Sequence, residues 1–135
     1  NVLPALLNRF PDHAVLFCNV LGQLRYQENK TLERIEFELN QIKIAMEGRH
    51  WASFHDRISG VGRLSEAREY EFYERNAISN EALMGRVART GEWLDHLTQH
   101  VLPAKGGRRI MLWPINPDRL HVVEAGWVNP NHMRS

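Results

Sequence analysis

Hydrophobic positions recur along the chain with two periods, and the switches between them mark out the elements. Val2, Leu3, Leu6, Leu7 and Phe10 have helical spacing, so residues 1–10 read as the end of a helix stopped by Pro11, which disfavours helical geometry before it. After a turn at Pro11-Asp12, His13 to Asn19 (HAVLFCN) is an unbroken apolar run, the pattern of a strand buried on both faces of a parallel sheet, and Gly22 closes it. Thr31 to Met46 sets Leu32, Ile35, Leu39, Ile42 and Met46 at steps of three and four, with charges on the other faces and Gly48 as the stop. Arg49 to His55 (RHWASFH) predicts a short second strand, left through Asp56 and Ser59-Gly60-Val61-Gly62. Strand, helix and strand with short links fit a right-handed crossover between parallel neighbours.

The next stretch predicts a long helical layer. Ser65 to Asn76 (SEAREYEFYERN) sets Glu66, Glu69, Glu71 and Glu74 against arginines, as on a salt-bridged exposed helix. Ser79 opens a pattern carrying Leu83, Met84, Val87 and Ala88. Thr90 caps a third stretch with Trp93, Leu94, Leu97 and Val101 on one face, ended by Pro103. Lys105-Gly106-Gly107 is a loop. Arg109 to Ile115 and Leu120 to Val128 are then strands whose link, Asn116-Pro117-Asp118, is short enough only for an antiparallel hairpin, with Pro114 at a bulge or an edge. Residues 129–135 lack periodicity and read as a tail. The expected class is α/β, a single unit over 1–135 in which helices cover a mostly parallel sheet (13–128) with one antiparallel strand at its end.

Composition narrows the function. The 135 residues, 43% hydrophobic and 24% charged, make one domain rather than two. Lys and Arg total 17 against 16 for Asp and Glu, a net charge of +1, so no basic surplus signals nucleic-acid binding. No apolar run approaches the ~18 residues that cross a bilayer, and no secretory leader pattern opens the chain. The single Cys18 excludes an internal disulfide framework and a multi-cysteine zinc site, and suits a reducing, cytoplasmic setting. Helical spacing that starts without a cap implies a domain fragment, cut from a longer protein.

The stretch Val15-Leu16-Phe17-Cys18-Asn19-Val20-Leu21-Gly22-Gln23-Leu24, followed by Trp51-Ala52-Ser53-Phe54-His55-Asp56-Arg57 and the terminal hairpin, resembles the C-terminal half of a class I S-adenosylmethionine-dependent methyltransferase. In that family a fourth strand runs into an Asn and a Gly lining the cleft, a helix and fifth strand follow, and the sheet closes on a hairpin into an antiparallel seventh strand. The resemblance implies a partial Rossmann-like sheet, S-adenosylmethionine as cofactor in the intact protein, and an acceptor of unknown identity. The family's glycine-rich loop and its ribose-holding acidic residue have no counterpart here, so the resemblance places the cofactor-binding half upstream of Asn1 and makes the fragment alone inactive.

Ligands of open α/β sheets sit beyond the carboxyl ends of the parallel strands, which singles out Cys18, Asn19, Gly22 and Gln23 after the first strand and His55, Asp56 and Arg57 after the second. Asn19 can both donate and accept, Gly22 permits close backbone approach, His55 is the candidate general base and Asp56 its orienting partner. The structural alternatives are a turn-forming Asn19, a surface His55-Asp56 pair and a Cys18 that is a small buried hydrophobe. His96 and His100 stand four apart, as on a metal-binding helix, but lack a third ligand and read as a solvated face, so no metal site is expected. Trp51, Trp113 and Trp127 read as core. Two other functions compete: a non-catalytic α/β protein-interaction module using Tyr70, Phe72, Tyr73 and the hairpin, and a hydrolase using His55 and Asp56, which lacks a nucleophile elbow. A sheet cut before its first strand also predicts a homodimer or element swap through that strand's exposed edge.

Overall fold

The computed structural model describes residues 2–63 and 70–130. Six strands form one mixed sheet: β1 (Val15–Cys18), β2 (Trp51–Arg63), β3 (Glu71–Asn76), β4 (Ala88–Asp95), β5 (Lys105–Asn116) and β6 (Arg119–Val128). The helices are α1 (Leu3–Arg9), α2 (Val20–Gln23), α3 (Leu32–Ala45) and α4 (Asn80–Met84), with a 3-10 turn at Leu24–Tyr26. The sheet order is β1-β2-β6-β5-β3, and β4 pairs with the second half of β2, on the edge that β1 occupies along the first half.

Several local expectations hold. Pro4 lies in the first turn of α1, the one place in a helix where a missing amide costs nothing. Thr31 Oγ1 accepts from Arg34 N at 3.1 Å to cap α3, which joins β1 to β2 as a crossover between parallel neighbours. Ser79 caps α4 through Ala82 N at 3.1 Å. β5 and β6 form the antiparallel hairpin, with a register shift between Pro114 and Asn116.

The mostly parallel, Rossmann-like sheet does not. Among the described residues only β1–β2 is a parallel pair, while β2–β4, β2–β6, β3–β5 and β5–β6 are all antiparallel, and helices are few. The predicted helical layer is mostly strand. Glu71–Asn76 is β3, and Glu71 meets Arg109 across the ladder at 3.0 Å, so those charges answer one another between strands rather than along a helix. Residues 65–69 of that prediction lie outside the described residues. The stretch from Thr90 belongs to β4 as far as Asp95. Its pairing explains why β2 does not stop at His55: Gly60 is a strand position at which a Cβ would come within 2.7 Å of the Trp93 ring, and Trp93 Nε1 donates to Val61 O at 3.0 Å. A glycine that reads as a loop signal here admits a neighbouring strand and its indole.

The sheet buries one face. At one end Trp51 and Val128 pack with Leu7, Phe17, Leu21, Ile35, Leu39, Met46, Val101 and Leu102; at the other Ile58, Ile110, Leu112, Leu120 and Val122 pack with Leu83 and Val87. The opposite face is partly open, with Leu16, Phe54, Trp113 and Trp127 exposed. β1 is therefore not buried on both faces, Cys18 is exposed rather than core, and of Trp51, Trp113 and Trp127, all expected in the core, only Trp51 is interior. Among the described residues no helix is long and apolar enough to cross a membrane.

Candidate functional site

Strand geometry decides what His55 and Asp56 can do, because adjacent strand residues face opposite sides of the sheet. His55 lies on the buried side opposite Glu124 of β6, and its Nε2 donates to Glu124 Oε1 at 3.0 Å while Ser53 Oγ lies 2.8 Å from its Nδ1. Arg57 Nη1 reaches the other carboxylate oxygen of Glu124 at 2.9 Å, and Arg108 Nη1 approaches it at 3.4 Å. Arg57 also donates to Asn80 Oδ1 and Ile78 O. This fully buried polar band separates the two apolar clusters. Ser53, His55 and Glu124 have the residue types of a nucleophile triad, but the group is sealed from solvent, the serine sits on the wrong ring nitrogen, and the carboxylate is shared with two guanidinium groups. It is a structural network, and no hydrolase follows from it. Burial alone would raise the pKa of Glu124, but the His55 hydrogen bond and the charges of Arg57, His55 and Arg108 outweigh it and hold the carboxyl below its ordinary value.

Asp56 faces the other way. The ladder shifts register between Asp56 and Ile58, a bulge at Arg57 that returns Ile58 to the buried side. Asp56 Oδ1 lies 2.9 Å from His121 Nδ1, on β6 diagonally across the pair. Asn19 holds the same carboxylate from the end of β1: its Nδ2 donates to Asp56 Oδ2 at 3.3 Å and its Oδ1 accepts from Asp56 N at 3.1 Å. Thr98 Oγ1 donates to Asp56 O at 2.6 Å. Gly22 packs so closely that a Cβ there would sit 2.9 Å from both Asp56 N and Asn19 Oδ1. Among the described residues two non-glycine positions adopt left-handed backbone, Asn19 (φ 56°) and Leu97 (φ 63°), and they flank this group. Such conformations cost energy and gather where a chain must present particular atoms.

The electrostatics give the pair a direction. Desolvation raises the pKa of Asp56, but the hydrogen bond from His121, the charges of His121 and His96, and the Asn19 amide together carry it below the ordinary carboxylate value. Asp56 is thus an anion that only accepts, so His121 Nδ1 bears the proton and a neutral His121 ring has its basic lone pair on Nε2. The Asp56 side chain has no exposed surface, whereas the imidazole keeps 13%. Beside them His96 is buried; burial lowers its pKa, only partly offset by its hydrogen bond to the Gly22 carbonyl. Gly22 O can only accept, so His96 Nδ1 (2.9 Å) donates to it and the neutral ring's Nε2 accepts from Ser59 Oγ at 2.7 Å.

Of the residues singled out from sequence, the structure brings together Asn19, Gly22 and Asp56. His55 and Arg57 belong to the buried network, Gln23 is exposed at the end of α2, and Cys18 is exposed on β1. The expected His55-Asp56 pair is not formed; Asp56 takes His121 instead. His96 and His100 share no helix, His100 is exposed, and among the described residues no cluster of His, Cys, Asp or Glu could hold a metal. His121 was missed because it lies 65 residues from Asp56 in sequence, and His96, 40 residues on and expected on a solvated face, is buried instead; the one available signal for His121 was a histidine in a strand, LHVVEAGWV, whose other polar residue is Glu124. Compared with protein-family models, curated proteins and solved structures, the chain matches none.

Proposed function

We propose that this chain carries the proton-accepting site of a group-transfer enzyme, with His121 as general base and Asp56 as the carboxylate that orients it. The observation that carries this is the buried, anionic Asp56 bonded to Nδ1 of an imidazole that is itself partly open to solvent. As an acceptor hydroxyl attacks, its O–H bond breaks and the proton passes to His121 Nε2, while an oxygen electron pair forms the bond to the transferred group, whose bond to its donor breaks with that pair staying on the donor. The imidazolium so formed is paired with Asp56 and releases its proton to water. General-base assistance of this kind contributes roughly hundred- to ten-thousand-fold.

The resemblance supplies the identity of the transferred group, and we propose methyl transfer from S-adenosylmethionine, with this chain as the acceptor side. Support comes from the β1-α3-β2 unit, the closing hairpin whose last strand lies antiparallel against β2, and the convergence of the β1 exit on Asp56. The described residues do not themselves make a cradle for that cofactor: the Asn19 amide is occupied on both atoms by Asp56, Gly22 is packed against Asp56, and Gly60-Val61-Gly62 lies inside β2. The reading therefore assigns the cofactor to segments outside these residues. The test is a thermal-shift titration of the gene product, including whatever precedes Asn1, with S-adenosylhomocysteine. A ligand at ~100 times its dissociation constant adds roughly 2.7 kcal/mol, and a saturable rise is expected. No shift at millimolar ligand would remove the methyl-transfer assignment.

An interaction module is the second reading, favoured by Leu16, Phe54 and Trp127 lying exposed around Ala52 and Ala125 on the open face. The surface expected at Tyr70, Phe72 and Tyr73 is less suited, because Phe72 packs on the second apolar cluster under the Arg86 guanidinium, 3.9 Å from the ring centre.

A further inference from the structure

The surroundings of His121 narrow the acceptor. Four rings form a row across the open face. Tyr26 meets His96 edge-on at 5.4 Å, His96 lies 6.3 Å from His121, and His121 meets Trp113 edge-on at 6.3 Å. The row runs from the 3-10 turn, past β2, to β6 and β5. Its inner members are held: His96 by Ser59 and Gly22, His121 by Asp56. Its outer members are large and open, Tyr26 at 49% and Trp113 at 55% exposure. Trp113 is directly opposite His121 in the β5–β6 register, so a rigid ladder rather than a loop sets its distance from the base. An exposed indole fixed beside a general base offers a flat π surface on which a planar ring stacks. The charge beneath the base is the buried Asp56 carboxylate, which disfavours a ligand that arrives as an anion and favours one that arrives neutral and gives up a proton.

We infer that the acceptor is a planar aromatic compound bearing a hydroxyl, which stacks on Trp113 and sets its O–H against Nε2 of His121. The inference rests on His121 being the general base, yet binding of such a compound needs neither a cofactor nor turnover, so the two can fail separately.

The probe is 2-naphthol, with cyclohexanol as a hydroxyl compound lacking the flat ring, titrated into the chain while the tryptophan indole N–H signals are followed by NMR. Trp127 is the internal control: it is exposed on the same face, but six residues from His121 along β6, roughly 20 Å at ~3.3 Å per residue. Saturable movement of the Trp113 signal with 2-naphthol and none with cyclohexanol is expected, together with at least tenfold weaker binding in Trp113→Ala and recovery in Trp113→Phe. Trp113 is exposed, so these variants fold. Equal movement at Trp127, equal response to cyclohexanol, or unchanged affinity in Trp113→Ala would overturn the inference. Binding that survives His121→Gln unaltered, with the hydroxyl pKa of 2-naphthol unshifted in the complex, would overturn the assigned contact with Nε2. If 2-naphthol binds as expected but S-adenosylhomocysteine gives no thermal shift, the aromatic site stands and the methyl-transfer reading falls.

Discussion

Glu124 gathers His55, Arg57 and Arg108 around a single carboxylate with no exposed surface. Neutralising it leaves two buried guanidinium groups without a counter-charge, so Glu124→Gln should cost about 3–5 kcal/mol. Arg63 and Asp118 form an equally well-drawn pair at 3.1 Å, but both are exposed, and Arg63→Ala should stay within about 0.5 kcal/mol. Urea denaturation of both variants measures the contrast, and equal shifts would contradict it. Acid titration reads the other buried groups. The native pKa of His96 lies below its ordinary value, so the unfolded chain takes up that proton first; its contribution is complete above about pH 6.5 and drains away as the pH falls below it. Asp56 and Glu124, also depressed, contribute stability that is complete above about pH 4 and lost as the pH falls through their native values. A melting profile in His96→Gln should lack the upper step and keep the lower one.

At the scale of elements, patterns that local chemistry decides were legible. α3 follows from its apolar stripe and its Thr31 cap, and Thr31→Ala should cost about 1 kcal/mol in thermal unfolding. The hairpin follows from the short Asn116-Pro117-Asp118 link, which the structure narrows to Pro117 and Asp118. What could not be read was pairing with distant partners. Trp93, Leu94 and Leu97 have helical spacing, but β4 forms because β2 offers Gly60 to the Trp93 ring and Val61 O to its indole. Gly60→Ala would thrust a Cβ into that ring and the Glu92 carbonyl, and should destabilise by about 1–3 kcal/mol, with the loss of amide protection concentrated in β4. The same limitation governed the site. Asn19, Gly22 and Asp56 were visible as strand-end residues, whereas the base came from β6, and the choice of His55 ignored the alternation that turns it from Asp56 into the interior.

Over the whole molecule, one mixed sheet covers a divided core on one side and leaves a partly aromatic face on the other. β1 ends the sheet order, and Leu16 stands 60% exposed on it. Among the described residues the outer edge of β1 has no strand partner, and such an edge beside exposed apolar side chains favours pairing with a second copy. Sedimentation should show concentration-dependent association that Leu16→Lys abolishes, and a monodisperse monomer across the range would contradict this. The proposed chemistry depends on which nitrogen of one ring carries the proton, and the nitrogen NMR spectrum of the His121 imidazole at a pH where it is neutral reads this. The Asp56 contact predicts a proton on Nδ1 and a free lone pair on Nε2, a preference that Asp56→Ala removes. A proton on Nε2 in the unaltered chain, or a ring indifferent to the loss of Asp56, would mean that His121 is not held as a base.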